Sequence, residues 1–553
     1  MNTQTMVNLL KEQQQDFQWY PTSQRMIDVV HQDLCSLLSV RSDEQLACSV
    51  LDVGAGNGSF LHGLGKGKKY AIEKAKPLLA ELKKDVFVVG TDFHSQTLID
   101  KRVDVVVSNP PYCEFIAWAE KIILEANSPL LYLIIPKRWE DSEAIAHAIK
   151  KRHAKVTILQ ETDFLDAERQ ARAQVHILRI ELGSWRWHRS TNSPRVDPFK
   201  LWFDEHFPLN VNKNKVSDWA QKESEQRSLE REFADSKELI LDRGLAHVLN
   251  EWYQRDLDKL MKNYSALNDI NPDILQELDV NLDALCEALR MKISNLKDKY
   301  WRKLIDGLDI ITDKLCSSTR QRLLDTLFER TNVDFTIDNS TAVVLWVLKN
   351  ANAYYDDQLI AMVENMTELA NINSYVSNQK TFGEENWRYC SRWDFNRKLE
   401  SHKYALKLEY RIVVERTGGI GNEKHGLTGR STDFLNDLLI IAHNLNYDTT
   451  STDRAEQREW QSNKPQVFTY FNHTLGKRIE LMKVRAFMNG NLHIHFNQDF
   501  LCQLNVEFGR LKGWLKSANE ATAELDIPTE TAQRFFSSNL QLKGSHLSLL
   551  AAA

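Results

Sequence analysis

The chain of 553 residues exceeds the size of a single hydrophobic core and predicts about three domains, or two with one large irregular unit. Its 42% hydrophobic and 26% charged residues fit a globular protein, no apolar run is long enough to span a membrane, and the N-terminus does not read as a signal peptide, so we expect a cytoplasmic protein. The net charge of −6 argues against a uniformly basic surface but leaves room for a local basic face.

Short β-branched runs alternate with helical stretches from Ser49 to about Leu182, the pattern of a parallel sheet covered on both faces. The predicted strands are 49–53, 69–73, 86–90, 103–108, 130–135, 155–160 and 175–182. Helices are predicted between them, including 115–126 and 140–152. The expected fold of this part is a doubly wound α/β domain with a seven-strand sheet.

The pattern changes after Gly183. An aromatic and basic linker, WRWHRSTNSPRVDP, is followed by ~150 residues rich in leucine, lysine and glutamate at helical spacing. Strand patterns return from about Tyr404, with YALKLEYRIVVE and LHIHF. We therefore predict a domain over residues 1–189, a helical domain over 190–380 and an α+β domain over 381–553.

A glycine-rich turn, Asp52-Val-Gly54-Ala-Gly56-Asn-Gly58, follows the first predicted strand and precedes a short helix. Glycines let the backbone turn tightly and approach a cofactor, and the helix N-terminus offers unpaired amides. Dinucleotide-binding enzymes use a similar turn, so this motif alone does not define the cofactor.

Acidic residues follow the next two predicted strands. Glu73 ends the second strand, where a carboxylate can accept hydrogen bonds from ribose hydroxyls. Asp92 and Phe93 follow the third, where an acid beside an aromatic ring can hold an adenine amino group and cover the ring. Because ligands bind open α/β sheets at the carboxyl ends of the strands, these residues predict a nucleoside cofactor.

The tetrapeptide Asn109-Pro110-Pro111-Tyr112 ends the fourth predicted strand. Two consecutive prolines stiffen the backbone and remove two amide donors, so the turn presents carbonyl oxygens. The Asn109 side chain and the Pro110 carbonyl can together hold an amine and direct its lone pair at a methyl donor, and the Tyr112 ring can stack on a planar target. The tetrapeptide predicts the catalytic site.

The order of Tyr20-Pro21-Thr22, the glycine-rich turn, Asn109 to Tyr112 and a C-terminal extension resembles the gamma-type N6-adenine DNA methyltransferases over about the first 185 residues. The resemblance implies a Rossmann-like class I methyltransferase domain that binds S-adenosylmethionine. It implies that Tyr20 and Thr22 contact the methionine end of the cofactor, that Glu73 and Asp92 hold ribose and adenine, and that the tetrapeptide holds an adenine flipped out of duplex DNA. The segment around Phe17 lacks the second proline often seen in the family.

Four basic residues are candidates for contacts with nucleic acid. Lys137 and Arg138 follow the fifth strand in a segment, IIPKRW, that also looks like the family's pattern, and they are candidate phosphate contacts. Arg169 and Arg172 lie in the loop 163–173, which lines the substrate mouth in similar enzymes. For each of the four, an ordinary surface charge is the competing interpretation.

The C-terminal two thirds resembles a domain family of unknown function found beside such methyltransferases in bacteria and their mobile elements, notably at WRKLIDG (301–307) and VRAFMNGNLHIHF (484–496). An Asn489-Gly490 hairpin turn would place His493 and His495 on one face of a strand, but no third ligand is identifiable and we expect no metal site. A cluster of aromatic and basic residues between Trp387 and Lys398 has two interpretations, a nucleic-acid surface or helix packing.

Three functions remain open from the sequence. The first is a site-specific DNA adenine N6-methyltransferase of the restriction-modification type. The second keeps the catalytic domain but acts on RNA bases or protein glutamine, since the same tetrapeptide serves those enzymes. The third is a catalytically silent cofactor-binding module in a mobile-element defence or anti-restriction system. The short stretch before the first strand favours DNA over glutamine, whose enzymes usually place their recognition domain there.

Overall fold

The computed structural model describes residues 2–40, 46–165, 167–169, 171–182, 196–207, 244–266, 282–329, 332–369, 408, 411–421, 423–525 and 527–536. The chain forms two compact units, one of Met1–Leu304 with Leu323–Val347 and one of Ile305–Arg322 with Leu348–Ala553. The predicted boundaries near residues 190 and 380 and the cluster from Trp387 to Lys398 lie outside the described residues.

The first unit contains a seven-stranded sheet. Its strands are β1 (Val50–Val53), β2 (Lys69–Ile72), β3 (Val86–Gly90), β4 (Val105–Ser108), β5 (Leu130–Pro136), β6 (Lys155–Phe164) and β7 (Ala171–Glu181). Their order is β3-β2-β1-β4-β5-β7-β6, with β1 to β5 parallel and β7 antiparallel to both β5 and β6. All seven predicted strands are present, and the predicted Rossmann-like, seven-strand class I methyltransferase fold is confirmed.

Helices lie before and between the strands of the first sheet, and further helices follow its last strand in the sequence. The helices up to residue 369 are α1 (Thr3–Glu12), α2 (Gln24–Leu38), α3 (Ser59–Leu64), α4 (Lys76–Glu81), α5 (Phe115–Glu125), α6 (Glu143–Lys151), α7 (Pro198–His206), α8 (Leu245–Ser265), α9 (Leu282–Gly307), α10 (Asp309–Thr312), α11 (Ser317–Glu329) and α12 (Ile337–Leu369). The predicted helical region after the first domain is therefore confirmed over the described residues.

The second unit contains a four-stranded antiparallel sheet in the order β8-β11-β10-β9. Its elements are β8 (Arg411–Val414), α13 (Gly429–Asn444), β9 (Pro465–Asn472), β10 (Lys477–Ala486), β11 (Leu492–Phe496), α14 (Gln498–Leu511), α15 (Ala518–Leu525) and α16 (Thr529–Phe536). Side chains of the sheet share one core with α13 and α14. Gly490, at φ +87°, forms the predicted hairpin turn between β10 and β11. The α+β character predicted for the C-terminal region is confirmed.

The strand order creates a crevice in the first unit. The chain runs outward from β1 to β2 and β3 on one side, and from β4 to β5 on the other, so the direction of winding reverses between β1 and β4. The two strands are joined by the hydroxyl of Ser108, which donates to the carbonyl of Val53 (2.6 Å). Both strands are fully buried, as expected for parallel strands covered on both faces. The glycine-rich turn and Asn109 therefore leave neighbouring strands at the same edge of the sheet.

Among the described residues, no helix combines the length and apolar character needed to cross a membrane. The six cysteines within the described residues are free thiols.

Candidate active site

A cavity of about 220 Å³ opens at the carboxyl ends of β1 to β4. Its walls come from the N-terminal segment before α2, the glycine-rich turn, the ends of β2, β3 and β4, and the start of α5. The predicted site residues that line it are Tyr20, Thr22, Asp52, Gly54, Gly56, Glu73, Asp92, Phe93, Asn109 and Pro111. Gly58, Pro110 and Tyr112 lie behind this lining. The structure thus brings together residues that are far apart in the sequence.

The glycine-rich turn requires its glycines. Gly54, Gly56 and Gly58 have φ values of +86°, +58° and +78°, a region that side-chain-bearing residues rarely adopt. A Cβ atom on Gly56 would lie 2.4 Å from Nε1 of Trp19. The Trp19 indole therefore packs directly on the turn, a wall of the cavity that the sequence did not reveal.

Two buried carboxylates, Asp52 and Glu73, lie at the centre of the cavity wall. The oxygens of Glu73 accept from the amides of Gly56 and Ala75, both at 2.7 Å, so Glu73 joins the glycine-rich turn to the end of β2. Burial raises the pKa of Glu73, and the amides offset part of that effect. Burial and then repulsion from Glu73 raise the pKa of Asp52 well above its usual range. Within the described part of the chain, no hydrogen bond reaches the Asp52 carboxylate, which is 3% exposed.

The predicted adenine-binding residues follow β3. Asp92 forms an ion pair with Lys74 (2.7 Å) and accepts from the amide of His94 (2.9 Å). Burial acts to raise the pKa of Asp92, but these two partners outweigh it and lower the pKa, so the group is ionised. The Phe93 ring is buried and stacks on Trp118, with centroids 4.1 Å apart.

Trp118 is a site residue that sequence reasoning missed. It lies on α5, and a Cβ atom on Gly54 would come within 3.3 Å of its ring. Its Nε1 donates to Glu114 (3.2 Å), one turn earlier. The available signal was an i, i+4 pair of acid and tryptophan directly after the catalytic tetrapeptide.

Asn109 is held in one orientation. Its Nδ2 donates to the carbonyl of Tyr20 (3.1 Å) and to Oγ1 of Thr22 (3.3 Å), while its Oδ1 accepts from the hydroxyl of Tyr112 (3.1 Å). A carbonyl can only accept, so Tyr20 fixes which side of the amide carries the NH2 group. An amide oxygen has two lone pairs, and Oδ1 therefore retains capacity for a further donor.

Tyr112 and Pro110 belong to the turn after β4 but do not line the cavity. The Tyr112 ring packs edge-on against Phe164, with centroids 6.0 Å apart, and burial raises the pKa of its hydroxyl. Pro110 is fully buried. Among the described residues, no protein donor reaches the Pro110 carbonyl, and Asn109 Oδ1, which lines the cavity, accepts only from Tyr112.

The N-terminal segment from Gln15 to Thr22 forms one wall of the cavity and is fastened by side chains. Gln15 accepts from the amide of Lys76 (2.7 Å), and Gln18 accepts from the amide of Cys113 (3.3 Å). Arg169 forms two 2.9 Å hydrogen bonds with the Asp16 carboxylate, donates to the Trp19 carbonyl (2.6 Å), and lies 4.3 Å from the Tyr20 ring centroid. We call this set of contacts the Arg169 clamp.

Three of the four basic residues predicted to meet nucleic acid, Lys137, Arg138 and Arg169, have partners within the protein. Lys137 pairs with Glu161 (3.2 Å), and Arg138 donates to the carbonyl of Tyr112 (3.0 Å) and lies over the Phe115 ring. Arg169 belongs to the clamp. Arg172 lies at the start of β7, and its side chain is outside the described ones. Their contacts with nucleic acid stay predictions.

The residues of the cavity fit S-adenosylmethionine. Glu73 would accept from the ribose hydroxyls, Asp92 would accept from the adenine amine between Lys74 and the Phe93–Trp118 stack, and Tyr20 and Thr22 would meet the methionine end. The second buried carboxylate, Asp52, has no protein donor among the described residues, so it is available to a cationic ligand. The acceptors in the cavity therefore suit a ligand that is a positively charged nucleoside with free ribose hydroxyls.

His493 and His495 lie on one face of β11, as predicted. Burial, followed by the nearby Arg411, lowers the pKa of both rings. Among the described residues, no group of three or more His, Cys, Asp or Glu side chains is placed to hold a metal ion.

Comparisons with known proteins give one family match and several related folds. Residues 293–514 match a family model described as a domain of unknown function (DUF4942), which includes the C-terminal segments WRKLIDG and VRAFMNGNLHIHF. No curated protein sequence matches the chain.

Several solved structures match about a third of the chain at low identity. One is the Mtq2–Trm112 complex of E. cuniculi, which methylates the translation termination factor eRF1, at 17% identity over 30% of this chain and 98% of that one (TM-score 0.23). Another is the 23S rRNA methyltransferase ErmE, at 11% over 34% and 77% (0.25). A third is a class I S-adenosylmethionine-dependent methyltransferase of Listeria monocytogenes, at 14% over 35% and 69% (0.25). The fold assignment itself rests on the strand order.

Proposed function

We propose that this protein transfers a methyl group from S-adenosylmethionine to the exocyclic N6 amine of adenine in DNA. The observation that carries the proposal is the Oδ1 atom of Asn109 at the end of β4, which lines a cavity that fits the cofactor and accepts only one protein hydrogen bond, with the Pro110 carbonyl next to it in the chain. An amine bears two N–H donors, and these two oxygens would accept them. A base inside a duplex would reach this turn only when flipped out of the stack.

The catalytic turn acts on the amine nitrogen. S-adenosylmethionine supplies an electrophilic methyl group on a sulfonium. Two hydrogen bonds, to Asn109 and to Pro110, would localise the lone pair of the amine and aim it at that methyl for in-line displacement. The nitrogen–carbon bond forms as the carbon–sulfur bond breaks, and the surplus proton passes to water, so no side chain is assigned as general base.

Contacts with the DNA backbone are proposed on the second unit. Arg411, Lys483 and Arg485 lie on one face of its sheet, because Lys483 pairs with His495, Arg485 with His493, and Arg411 with His495. Arg411 and Arg485 are exposed. Arg485 also donates to the Asn463 side chain (3.1 Å). Near the turn after β4, Lys137, Arg138 and Arg169 are engaged with protein groups. The sheet face offers the local basic surface that the net charge of −6 permits.

The test is transfer of radiolabelled methyl to duplex DNA, to RNA and to a bacterial protein extract, by the full-length wild type and by Asn109→Ala. Asn8→Ala, on the exposed face of α1, serves as a matched surface control. We expect label in DNA as N6-methyladenine, lost with Asn109→Ala, retained with Asn8→Ala and unaffected by a chelator. Label in RNA or at protein glutamine would replace the proposed substrate. Cofactor binding without any transfer would identify a silent module.

A further inference from the structure

The loop that follows β3 is held from outside the sheet. It begins with Thr91, which lines the cavity beside Asp92 and Phe93. The Oδ1 atom of Asn339, on α12, accepts from the amide of Thr91 (3.0 Å) and from its hydroxyl (3.2 Å). Asn339 is 1% exposed and does not line the cavity. Asn339 lies within residues 293–514, the region that matches the family model and that we call the family-matched region. It therefore fixes the backbone directly before the predicted adenine contacts.

Asn339 uses its whole side-chain amide in this role. Its Oδ1 also accepts from Nε2 of Gln96 (3.3 Å), and its Nδ2 donates to Oε1 of Gln96 and to the carbonyl of Asp334, both at 2.8 Å. Gln96 is itself buried, against Gly90 at the end of β3. Loss of the Asn339 amide would leave the Thr91 amide and the Oε1 atom of Gln96 buried without their hydrogen-bond partner.

A buried charge cluster secures the far end of the same loop. The carboxylate of Asp334 accepts from the amide of Thr97 (3.0 Å) and from the ammonium groups of Lys101 (2.9 Å) and Lys297 (2.7 Å). Lys297 also pairs with Asp100 (2.8 Å). Burial acts to raise the pKa of Asp334, but Lys101 and Lys297 outweigh it and lower the pKa, so Asp334 is ionised. Both ends of the loop thus depend on residues 297–339.

We propose that Asn339 is a positioning residue for the adenine ring of the cofactor. It acts through Thr91, holding the Asp92 carboxylate and the Phe93 ring where the adenine amine and the ring face would meet them. The inference rests on the proposed function, since it assumes an adenosine-bearing cofactor in this cavity. It assigns to the family-matched region a part in cofactor recognition, because Asn339 lies within residues 293–514.

The test measures recognition of the adenine amine and not overall stability. Dissociation constants are determined by calorimetry for S-adenosylhomocysteine and for S-inosylhomocysteine, in which oxygen replaces the amine. In the wild type a correctly placed Asp92 would face a carbonyl oxygen of the inosine ligand, so we expect at least about tenfold preference for the adenosine ligand. In Asn339→Ala we expect most of that preference to disappear through weaker binding of S-adenosylhomocysteine.

Trp346→Phe is the matched control. Trp346 is on the same helix and donates to the carbonyl of Val86 (3.0 Å) at the opposite end of β3 from Asp92. We expect this variant to unfold at a lower temperature while keeping the wild-type preference between the two ligands. A conservative variant, Asn339→Asp, keeps the acceptor for Thr91 and loses the donor to Gln96, so it should retain more of the preference than Asn339→Ala.

Several results would overturn the inference. One is equal weakening of both ligands in Asn339→Ala, which would indicate a general structural role. Another is an unchanged preference in Asn339→Ala, or a loss of preference in Trp346→Phe. If Asn339→Ala does not fold, the preference of Asn339→Asp decides, and a complete loss of preference in this variant, which keeps the acceptor for Thr91, would exclude the positioning role. If the wild type binds neither ligand, the proposed cofactor fails first and the inference falls with it.

Discussion

The side-chain amide of Asn109 donates a hydrogen bond to the carbonyl oxygen of Tyr20, 3.1 Å away. The catalytic turn after β4 and the N-terminal segment are therefore one structural unit. We expect Asn109→Asp to keep an acceptor for the amine but to place a carboxylate oxygen against the Tyr20 carbonyl. Single-turnover methyl transfer should fall by about 10- to 100-fold, with cofactor affinity changed by less than about threefold. The prediction assigns Asn109 to methyl transfer and not to cofactor binding. It would be contradicted if Asn109→Asp lowered the affinity for the cofactor more than the rate of methyl transfer.

The Arg169 clamp predicts a second effect on cofactor binding. Arg169→Ala removes the Asp16 ion pair, the bond to the Trp19 carbonyl and the contact with Tyr20, so the N-terminal wall of the cavity should loosen. We expect about tenfold weaker binding of S-adenosylhomocysteine, and a similar effect for Asp16→Asn, measured by calorimetry. The double variant should bind little more weakly than either single one. Weaker DNA binding at unchanged cofactor affinity would instead support the contact with nucleic acid predicted from the sequence.

Gly56→Ala should block the site. The new methyl group would lie 2.4 Å from Nε1 of Trp19. The alanine would also have to adopt φ +58°, a backbone conformation that residues with a side chain rarely adopt. The backbone strain alone costs about 1–2 kcal/mol, and the clash must also displace Trp19. Gly244→Ala is the matched control, because Gly244 has φ +83° but no atom within 4 Å of a new Cβ. We expect both variants to lose stability in thermal unfolding and Gly56→Ala alone to lose cofactor binding.

We expect Asp52→Asn to raise the stability of the protein while weakening its binding of the cofactor. The raised pKa of Asp52 means that the folded protein holds a proton at pH values where the unfolded chain has released it. Stability therefore falls as pH rises above the ordinary pKa of an aspartate, because the unfolded chain ionises there more readily than the folded one, and an amide, which does not titrate, removes that loss. We expect the Asn variant to melt about 1–3 °C higher near neutral pH while binding S-adenosylmethionine about tenfold less tightly. A lower melting temperature would show that the carboxylate has a stabilising partner.

The basic face of the second sheet predicts a response to salt. The double variant Lys483→Glu, Arg485→Glu should bind DNA more weakly than the wild type. The slope of log affinity against log salt concentration should also become shallower, by about one unit for each phosphate that the variant no longer binds. Fluorescence anisotropy with labelled duplex DNA measures both quantities. Cofactor affinity serves as the internal control. An unchanged salt slope would remove this face from the proposed DNA-binding surface.

The sheet and the cofactor-binding loops were predictable because their signals are local. Buried parallel strands give continuous β-branched runs, and loops at their carboxyl ends carry short motifs such as the glycine-rich turn. Residues that act across long sequence separations were missed. Trp19, Trp118 and Asn339 carry no motif, and their contacts with Gly56, Phe93 and Thr91 arise from tertiary packing.

The predicted roles of basic residues show the same limit. The resemblance predicts a nucleic-acid contact for Arg169 because its loop lines the substrate mouth in similar enzymes, but its partner, Asp16, is 153 positions away in the sequence. A charged residue in a loop can be solvated, can bind a ligand or can pair within the protein, and the loop sequence does not decide among the three. The structure supplies an internal partner for it, which the sequence does not identify.

The chain alternates between its compact units, since the boundaries fall after residues 304, 322 and 347. The cofactor-binding unit is consequently discontinuous in the gene. A fragment ending near residue 189 would contain every motif of the catalytic domain named from the sequence and yet lack Lys297, Asp334 and Asn339, which hold the loop carrying Asp92. Each unit consists of two separate segments of the chain, so no single cut in the sequence separates one complete unit from the other. We therefore expect recombination to transfer the two units together.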